Sequence, residues 1–298
     1  MEINIDYDEI YDNRVAIITG VSRSGTTILG KLIGSLKDVV YCYEPSPMIL
    51  IPPLIKNGII NMNIGGDLLK SILFEDYLLQ TMSGRNINYN TNESSYIGHY
   101  ININKIKKTM IKSNKRDDII RDLGDKKFII KIPNIQPSLD IIKSIFNNVK
   151  IINITRNGND VIESSKIKNF FTDVYISNKM IDISKNNVPW YINDSNLFNK
   201  FNTETKIAHI WRVLNEYWLP HISNDNMYHI RLEDLKCNPH TYVDYISEFI
   251  GNELTDITNK HIESIINWKD KSYSHNFIID DIEKPKYVSM MKTFGYEV

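Results

Sequence analysis

Residues 15–36 read VAIITGVSRSGTTILGKLIGSL and contain the clearest structural pattern in the chain. The run Val15–Thr19 is short, apolar and rich in β-branched residues, which is typical of a strand that is buried on both faces of a sheet. Residues 20–25 form a glycine-bounded loop, and from Thr26 onward apolar side chains recur at helical spacing. A second apolar run follows at Val39–Tyr43. The segment therefore predicts a strand, a loop, a helix and a second strand.

The same alternation of strands and helices continues along the rest of the chain. Apolar runs predict further strands at residues 127–132, 149–155 and 227–231. Helical spacing predicts helices at residues 137–146, 160–168, 203–218 and 241–250, with Asp160 and Glu163 as a capping box. Strands that alternate with helices favour an α/β fold with a central parallel sheet and helices on both faces.

Two long segments, residues 55–126 and 169–202, interrupt this alternation. Both are polar, with scattered aromatic residues, although the first contains a predicted helix at residues 68–80. Long insertions in compact domains are usually lids or binding loops, so we expect both at the rim of the active site. Peripheral helical decoration without ligand contact is the alternative. The length of 298 residues permits one large domain or two small ones.

Composition restricts the function to a local site. The chain has 35 Lys and Arg against 36 Asp and Glu, which argues against bulk binding to nucleic acid but permits a local anion pocket. Cys42 and Cys237 cannot form a disulfide framework and are predicted to be buried thiols in a reducing compartment. The sequence shows neither a signal peptide nor a run of ~18 apolar residues, so we expect a cytoplasmic protein without a membrane partner.

The loop between the first strand and helix is a candidate anion site. Backbone N–H groups converge there on a helix N-terminus, which suits a phosphate-like group. Glycines allow close approach, hydroxyls add donors and an arginine adds charge, from Gly20, Gly25, Ser24, Thr26, Thr27 and Arg23. A Walker A loop would have Lys before its Ser or Thr, and both this Lys and the glycine spacing are missing. A nucleoside triphosphatase is therefore disfavoured.

A second candidate anion site follows the strand at residues 149–155. Arg156 leaves the carboxyl end of that strand, and Ser164 lies on the next helix. Together they can bind an anion through charge-assisted hydrogen bonds, whereas a surface arginine and a neutral helical serine are the alternative. Two anion sites at one sheet edge predict a ligand with two separated phosphates.

These residues resemble those of the sulfotransferases that use 3′-phosphoadenosine 5′-phosphosulfate (PAPS). Residues 23–27, RSGTT, resemble the 5′-phosphosulfate loop of that family, and Arg156 and Ser164, eight positions apart, resemble its 3′-phosphate motif. Weaker similarities lie at Lys131-Ile132-Pro133, at residues 231–235 with Asn238-Pro239, and at Phe294-Gly295-Tyr296. The loop arginine and Glu44-Pro45 resemble the tyrosylprotein and bacterial branch. The cytosolic phenol and steroid branch has Lys in place of Arg23 and a His base.

The resemblance implies a single domain over residues 1–298 with the P-loop-kinase-like sulfotransferase architecture. It further implies in-line transfer of a sulfuryl group from PAPS to a hydroxyl, or less readily an amine, of a small-molecule or peptide acceptor, without a metal. The cofactor-binding residues it implies are Arg23, Ser24, Gly25, Thr26, Thr27, Arg156, Ser164, Lys269 and Lys271. For Lys269 and Lys271 a solvated run of charges is the alternative.

Glu44, Arg23 and Lys131 are the predicted catalytic residues, Glu44 because it follows the second strand beside the loop of Arg23. A lysine that extends from a strand end to solvent is the alternative for Lys131. Glu44 would accept the proton of the acceptor, and His99 is the substitute base. Glu44 has a structural alternative, in which it caps the following turn or pairs with Arg23. Two other functions also stay open: a small-molecule kinase with a degenerate phosphate loop, and a nucleotide-binding module without catalysis. The sequence specifies neither the acceptor nor the oligomeric state.

Overall fold

Five parallel strands form one sheet in the computed structural model, which describes residues 6–85, 87–111, 115–170, 188–268 and 273–297. The strand order is β2-β3-β1-β4-β5. The strands are β1 (Val15–Thr19), β2 (Val39–Tyr43), β3 (Lys127–Lys131), β4 (Lys150–Thr155) and β5 (Met227–Arg231). The α/β class with a central parallel sheet, expected from the alternation of elements, is confirmed.

Strand β1 lies at the centre of the sheet because every one of its residues can be buried. Its Ile17 pairs with Ile130 of β3 on one side and with Ile151 of β4 on the other. Successive side chains of a strand point to opposite faces, so Ile17 and Ile18 enter two different apolar clusters. Both side chains are fully buried. A strand without a polar face requires cover on both sides of the sheet.

Helices supply that cover. They are α1 (Tyr7–Tyr11), α2 (Thr26–Gly34), α3 (Ser46–Lys56), α4 (Met62–Ile72), α5 (Gln80–Met82), α6 (Ile103–Ile111), α7 (Arg116–Leu123), α8 (Leu139–Ile145), α9 (Gly158–Ile167), α10 (Ser195–Lys200), α11 (Thr203–Trp218), α12 (Leu232–Cys237), α13 (Pro239–Ile250), α14 (Asp256–Ile266) and α15 (Lys284–Thr293). A π-helix (Leu73–Leu79) and three 3-10 helices (Ile97–His99, Gln136–Ser138 and Leu219–His221) complete the helices of the described residues. Helices α2, α13 and α14 pack on one face, and α8, α9, α11 and α15 pack on the other.

Helix α9 begins before the predicted position. Asn157 is its N-cap and accepts a hydrogen bond from the backbone N–H of Asn159, so the predicted cap at Asp160 is wrong. Asn and Asp are about equally good caps, and sequence alone did not distinguish them. Because Asp160 lies in the first turn, its carboxylate is available to pair with Arg156 at 3.1 Å. The cap position therefore matters for the site.

Two other sequence expectations differ from the structure. Cys42 is buried as predicted, whereas Cys237, at the end of α12, is exposed. The helix predicted at residues 68–80 begins at Met62 and continues as the π-helix. Apolar side chains of this region, such as Phe74, are buried in the core, so this part of the first long insertion packs against the sheet. None of the helices in the described ranges is both long and apolar enough to cross a bilayer.

Candidate active site

The carboxyl ends of β1, β4 and β5 open into a cleft of about 320 Å³. Strand β1 lies between β3 and β4, and loops that leave neighbouring strands in opposite directions create such crevices in parallel sheets. The described lining comes from both predicted anion sites and from later parts of the chain: Arg23, Gly25, Thr26, Thr27, Ile28, Ser94, Arg156, Ser164, Ile167, Lys168, Leu232, Lys236, Trp268 and Tyr273. The fold therefore brings the two predicted anion sites together.

The loop after β1 has a conformation that only glycine permits at its start. Gly20 has a φ of 152°, and a Cβ there would lie 2.2 Å from the carbonyl oxygen of Ile154 in β4. The other end of the loop, Gly25, has a φ of 99° and forms the N-cap of α2. Asn134, which follows β3, accepts a hydrogen bond from the Ser22 N–H at 2.8 Å. The loop is thus held between two neighbouring strands.

The N-terminus of α2 presents donors to the cleft. The N–H groups of Thr26 and Thr27, in the first turn, have no acceptor within the helix. The Ser24 hydroxyl is fully buried and has no hydrogen-bond partner among the described residues. Buried hydroxyls are normally hydrogen-bonded, so an acceptor from outside the chain would complete this one. The loop has the donors that an anion requires.

Arg23 connects the two anion sites. Its Nε donates to the Ser164 hydroxyl at 3.1 Å, although the two residues are 141 positions apart. The Arg156 guanidinium donates to the backbone carbonyl of Arg23 at 3.4 Å. Burial lowers the pKa of the Arg23 guanidinium, and the charge of Arg156 lowers it further. Within the described ranges no ion pair involves Arg23, so its charge is available to an anionic ligand.

The cleft is strongly cationic although the chain has a net charge of −1. Among its described lining residues four are basic and none is acidic. Burial lowers the pKa of Lys236, and repulsion by the nearby Arg156 lowers it further, although Glu233 and Asp160 act in the opposite direction. A polyanion would relieve that repulsion. The described ranges contain no group of His, Cys, Asp or Glu side chains that could hold a metal ion.

Aromatic rings flank the guanidinium groups. The ring of Tyr273 lies 5.5 Å from the Arg156 guanidinium carbon, and Phe170 lies at the same distance from that of Arg23. Trp268 is 41% exposed at the cleft, with the Lys236 ammonium 5.3 Å from its ring. Such contacts fix the direction of cationic side chains.

Several residues of the cleft were not predicted from the sequence. Tyr273 follows no recognised motif, whereas Lys168 ends the helix that carries Ser164, and Lys236 lies between residues 231–235 and Asn238-Pro239, a weaker family similarity that was a usable signal. The predicted cofactor residues Lys269 and Lys271 lie outside the described residues.

Glu44 and Lys131 form a second polar group at the same edge of the sheet. They end neighbouring strands, and the register places Tyr43 beside Lys131. The Lys131 ammonium forms an ion pair with the Glu44 carboxylate and lies 4.3 Å from the centre of the Tyr43 ring. The Lys131 side chain is 2% exposed and that of Glu44 is 35% exposed. The carboxylate is therefore held by a buried cation and still reaches solvent.

Neither structural alternative for Glu44, a cap of the following turn or an ion pair with Arg23, is seen among the residues that the structure describes. Its described partner is Lys131, not Arg23, and α3 has Pro45 as its N-cap without a side-chain bond. Glu44 has a φ of 46°, in the left-handed region that is costly for a residue with a side chain. Its N–H donates to the Lys131 carbonyl at 2.9 Å, which helps to hold this conformation.

The substitute base, His99, lies near helices α2 and α14. Its carbonyl accepts a hydrogen bond from the His261 ring at 2.7 Å, and the two rings are 6.1 Å apart. Burial lowers the pKa of His99, and the nearby Lys31 lowers it further. Both effects favour the neutral imidazole, which is the form that accepts a proton.

Comparison with known proteins gives the chain a family context. A family model described as a sulfotransferase domain matches residues 13–276. The sulfotransferase domain of the Synechococcus PCC 7002 olefin synthase is similar in structure, with 17% identity, a TM-score of 0.54 and coverage of 96% of each chain. The sulfotransferase domain from the curacin biosynthetic pathway has 13% identity and a TM-score of 0.52, over 96% of this chain and 98% of that one. At these identities the structural likeness concerns the fold. A comparison with curated proteins found no match.

Proposed function

The chain belongs to the sulfotransferase domain family, and from this premise we propose that it transfers the sulfuryl group of PAPS to a hydroxyl of an acceptor. The observation that carries the proposal is the contact of Arg23 with Ser164, which joins two anion sites in one cationic cleft. PAPS has a 5′-phosphosulfate and a 3′-phosphate, and therefore needs two such sites.

The residues of the cleft form two groups, one for each end of this cofactor. The loop of Ser24 and Gly25 with the N-terminus of α2 would hold the phosphosulfate. Arg156 and Ser164 would hold the 3′-phosphate, with Arg23 between the two ends. The exposed ring of Trp268 offers a stacking surface to the base.

Transfer requires one bond to break and one to form at sulfur. The acceptor oxygen bonds to sulfur, the bond between sulfur and the bridging phosphate oxygen breaks, and its electron pair leaves with adenosine 3′,5′-bisphosphate. Arg23 and the α2 N–H groups would stabilise that developing negative charge. Glu44 would accept the proton of the acceptor hydroxyl, and Lys131 would hold the Glu44 carboxylate in place.

Replacement of Arg156 by Ala tests the cofactor site. We expect affinity for adenosine 3′,5′-bisphosphate to fall roughly 10- to 100-fold, because a charge-assisted bond worth ~1.5–3 kcal/mol is lost. Titration calorimetry would measure it. Arg121→Ala, at an exposed arginine of α7 that also pairs with an aspartate, is the matched control and should bind like the wild type.

Two results would contradict the proposal. One is a wild-type protein that does not bind the bisphosphate, and the other is unchanged binding by Arg156→Ala. Protection from thermal unfolding by ATP with magnesium, but not by the bisphosphate, would favour the kinase alternative. Binding without sulfuryl transfer to any acceptor would favour a nucleotide-binding module.

A further inference from the structure

Residues late in the chain enclose the turn that carries Arg156. The Trp211 indole N–H donates to the Arg156 carbonyl at 3.2 Å. The Gly158 N–H lies 3.2 Å from the Met291 sulfur of α15. Gly158 is also in close contact with that helix, since a Cβ there would lie 2.4 Å from the Tyr287 hydroxyl oxygen. The backbone at the start of α9 is thus held from outside by α11 and α15.

Tyr296 also contacts this turn indirectly, through the carboxylate of Glu233. The Asn157 N–H donates to one oxygen of the Glu233 carboxylate at 3.0 Å. The Tyr296 hydroxyl lies 3.2 Å from the other oxygen and 3.3 Å from the Thr155 hydroxyl. A hydroxyl has one proton, and the carboxylate is the stronger of these two acceptors. Tyr296 therefore links the end of β4 to the residue that supports the cap of α9.

This arrangement makes the two helix N-termini of the cleft different. At α2 the first-turn N–H groups face the cleft, whereas at α9 a carboxylate and a sulfur atom bind the N–H groups of Asn157 and Gly158. An anion at the second site must therefore rely on the side chains of Arg156 and Ser164. The position of Arg156 depends in turn on the enclosed turn from which it projects.

We propose that Tyr296 is a positioning residue for the 3′-phosphate site, acting through Glu233 and Asn157 on the turn that carries Arg156. This inference rests on the proposed function, because it assigns the Arg156 end of the cleft to the 3′-phosphate. Tyr296 itself is 6% exposed and is not among the described lining residues of the cleft.

The ring of Tyr296 is held independently of its hydroxyl. The Arg231 guanidinium lies 5.0 Å from the ring centre and donates to the Gly295 carbonyl at 2.9 Å. The Trp211 ring packs edge-on against it at 6.5 Å. Tyr296→Phe therefore keeps these contacts and removes only the hydroxyl.

Two ligands separate a positioning role from a general structural one. Adenosine 3′,5′-bisphosphate has the 3′-phosphate, and adenosine 5′-phosphosulfate lacks it. In Tyr296→Phe we expect affinity for the bisphosphate to fall roughly 3- to 10-fold, the effect of about one hydrogen bond, with affinity for the phosphosulfate unchanged. In the Arg156→Ala background the same change should cause no further loss of bisphosphate affinity. Tyr245→Phe, at an exposed tyrosine of α13, is the control.

Each other outcome overturns the proposal. Unchanged bisphosphate affinity, an equal loss for both ligands, or a full additional loss in the Arg156→Ala background would each show that Tyr296 does not act on the 3′-phosphate site. If Tyr296→Phe is too unstable to titrate, Glu233→Gln provides the same comparison with side-chain size kept. A wild-type protein that binds neither ligand would instead refute the proposed function, and the inference with it.

Discussion

Glu44→Gln is expected to lower sulfuryl transfer from PAPS roughly 10²- to 10⁴-fold, the usual contribution of a general base. The amide can still accept a hydrogen bond from Lys131, but it cannot take the proton of the acceptor. Affinity for adenosine 3′,5′-bisphosphate should stay within about twofold, because Glu44 lies outside the described cofactor lining. Release of the bisphosphate, measured with a phenol, an alkyl alcohol and a tyrosine-containing peptide as acceptors, gives the rate.

The stability of the variant must be measured beside its turnover. Lys131 is buried, and a buried cation that loses its ionised partner is destabilising. Lys131→Met is the companion variant, because it keeps the stem of the side chain and removes the charge that holds Glu44. A Glu44→Gln protein that is folded and turns over like the wild type would exclude Glu44 as the base, and His99→Gln would then be the next variant to measure.

Glu283→Ala is expected to lower the free energy of unfolding by ~3–5 kcal/mol. Glu283 is 1% exposed and pairs with Arg212 of α11 and, at 2.8 Å, with His209. Its loss leaves a buried guanidinium without its main partner and separates the start of α15 from α11. Glu216→Ala is the matched control: it removes a half-exposed partner of the same Arg212 and should cost ~1 kcal/mol or less. Urea unfolding followed by circular dichroism measures both, and equal effects would contradict the prediction.

The same group predicts how stability depends on pH. Burial alone would raise the pKa of Glu283, but hydrogen bonds from His209 and Arg212 outweigh burial and hold its pKa below the ordinary value. A carboxyl whose pKa is lowered on folding stabilises the protein above its unfolded pKa of about 4.5, and this contribution is lost as the pH falls through the folded value. Unfolding measured from about pH 6 down to 3 should show this loss in the wild type and a smaller loss in Glu283→Ala.

Local patterns were sufficient for much of the fold. The helix predicted at residues 203–218 and the strands predicted at 39–43 and 227–231 have the same bounds in the structure. In each case apolar spacing and a nearby breaking residue act over a few positions, so no distant contact is needed to define the element. The predicted cap of α9 was wrong for the opposite reason. Asn157 and Asp160 are both good caps, and the choice between them depends on the contact of Asn157 with Glu233 and on that of Asp160 with Arg156.

The candidate site likewise has one part that could be predicted from local sequence and another that depends on tertiary contacts. Contiguous motifs identified the loop of Arg23 and the pair of Arg156 and Ser164, because the donors of an anion site sit at a helix start and have a recognisable spacing. Their meeting, at 3.1 Å between Arg23 and Ser164, required the sheet to place β1 beside β4. Tyr273 follows no motif, and the similarity around Lys236 did not identify that lysine, so the presence of both in the cleft is known only from the path of the folded chain.

From the amino-acid order alone came the class of fold, the two anion motifs and the family they resemble, since each depends on residues close together in the chain. Tertiary structure decided the partners: Lys131 rather than Arg23 for Glu44, and Tyr296 for Glu233. Lys131 and Glu44 are 87 positions apart and meet because two parallel strands end side by side. Partner choice of this kind follows from strand register and helix packing, which are set by burial of the whole core and not by any local run of residues.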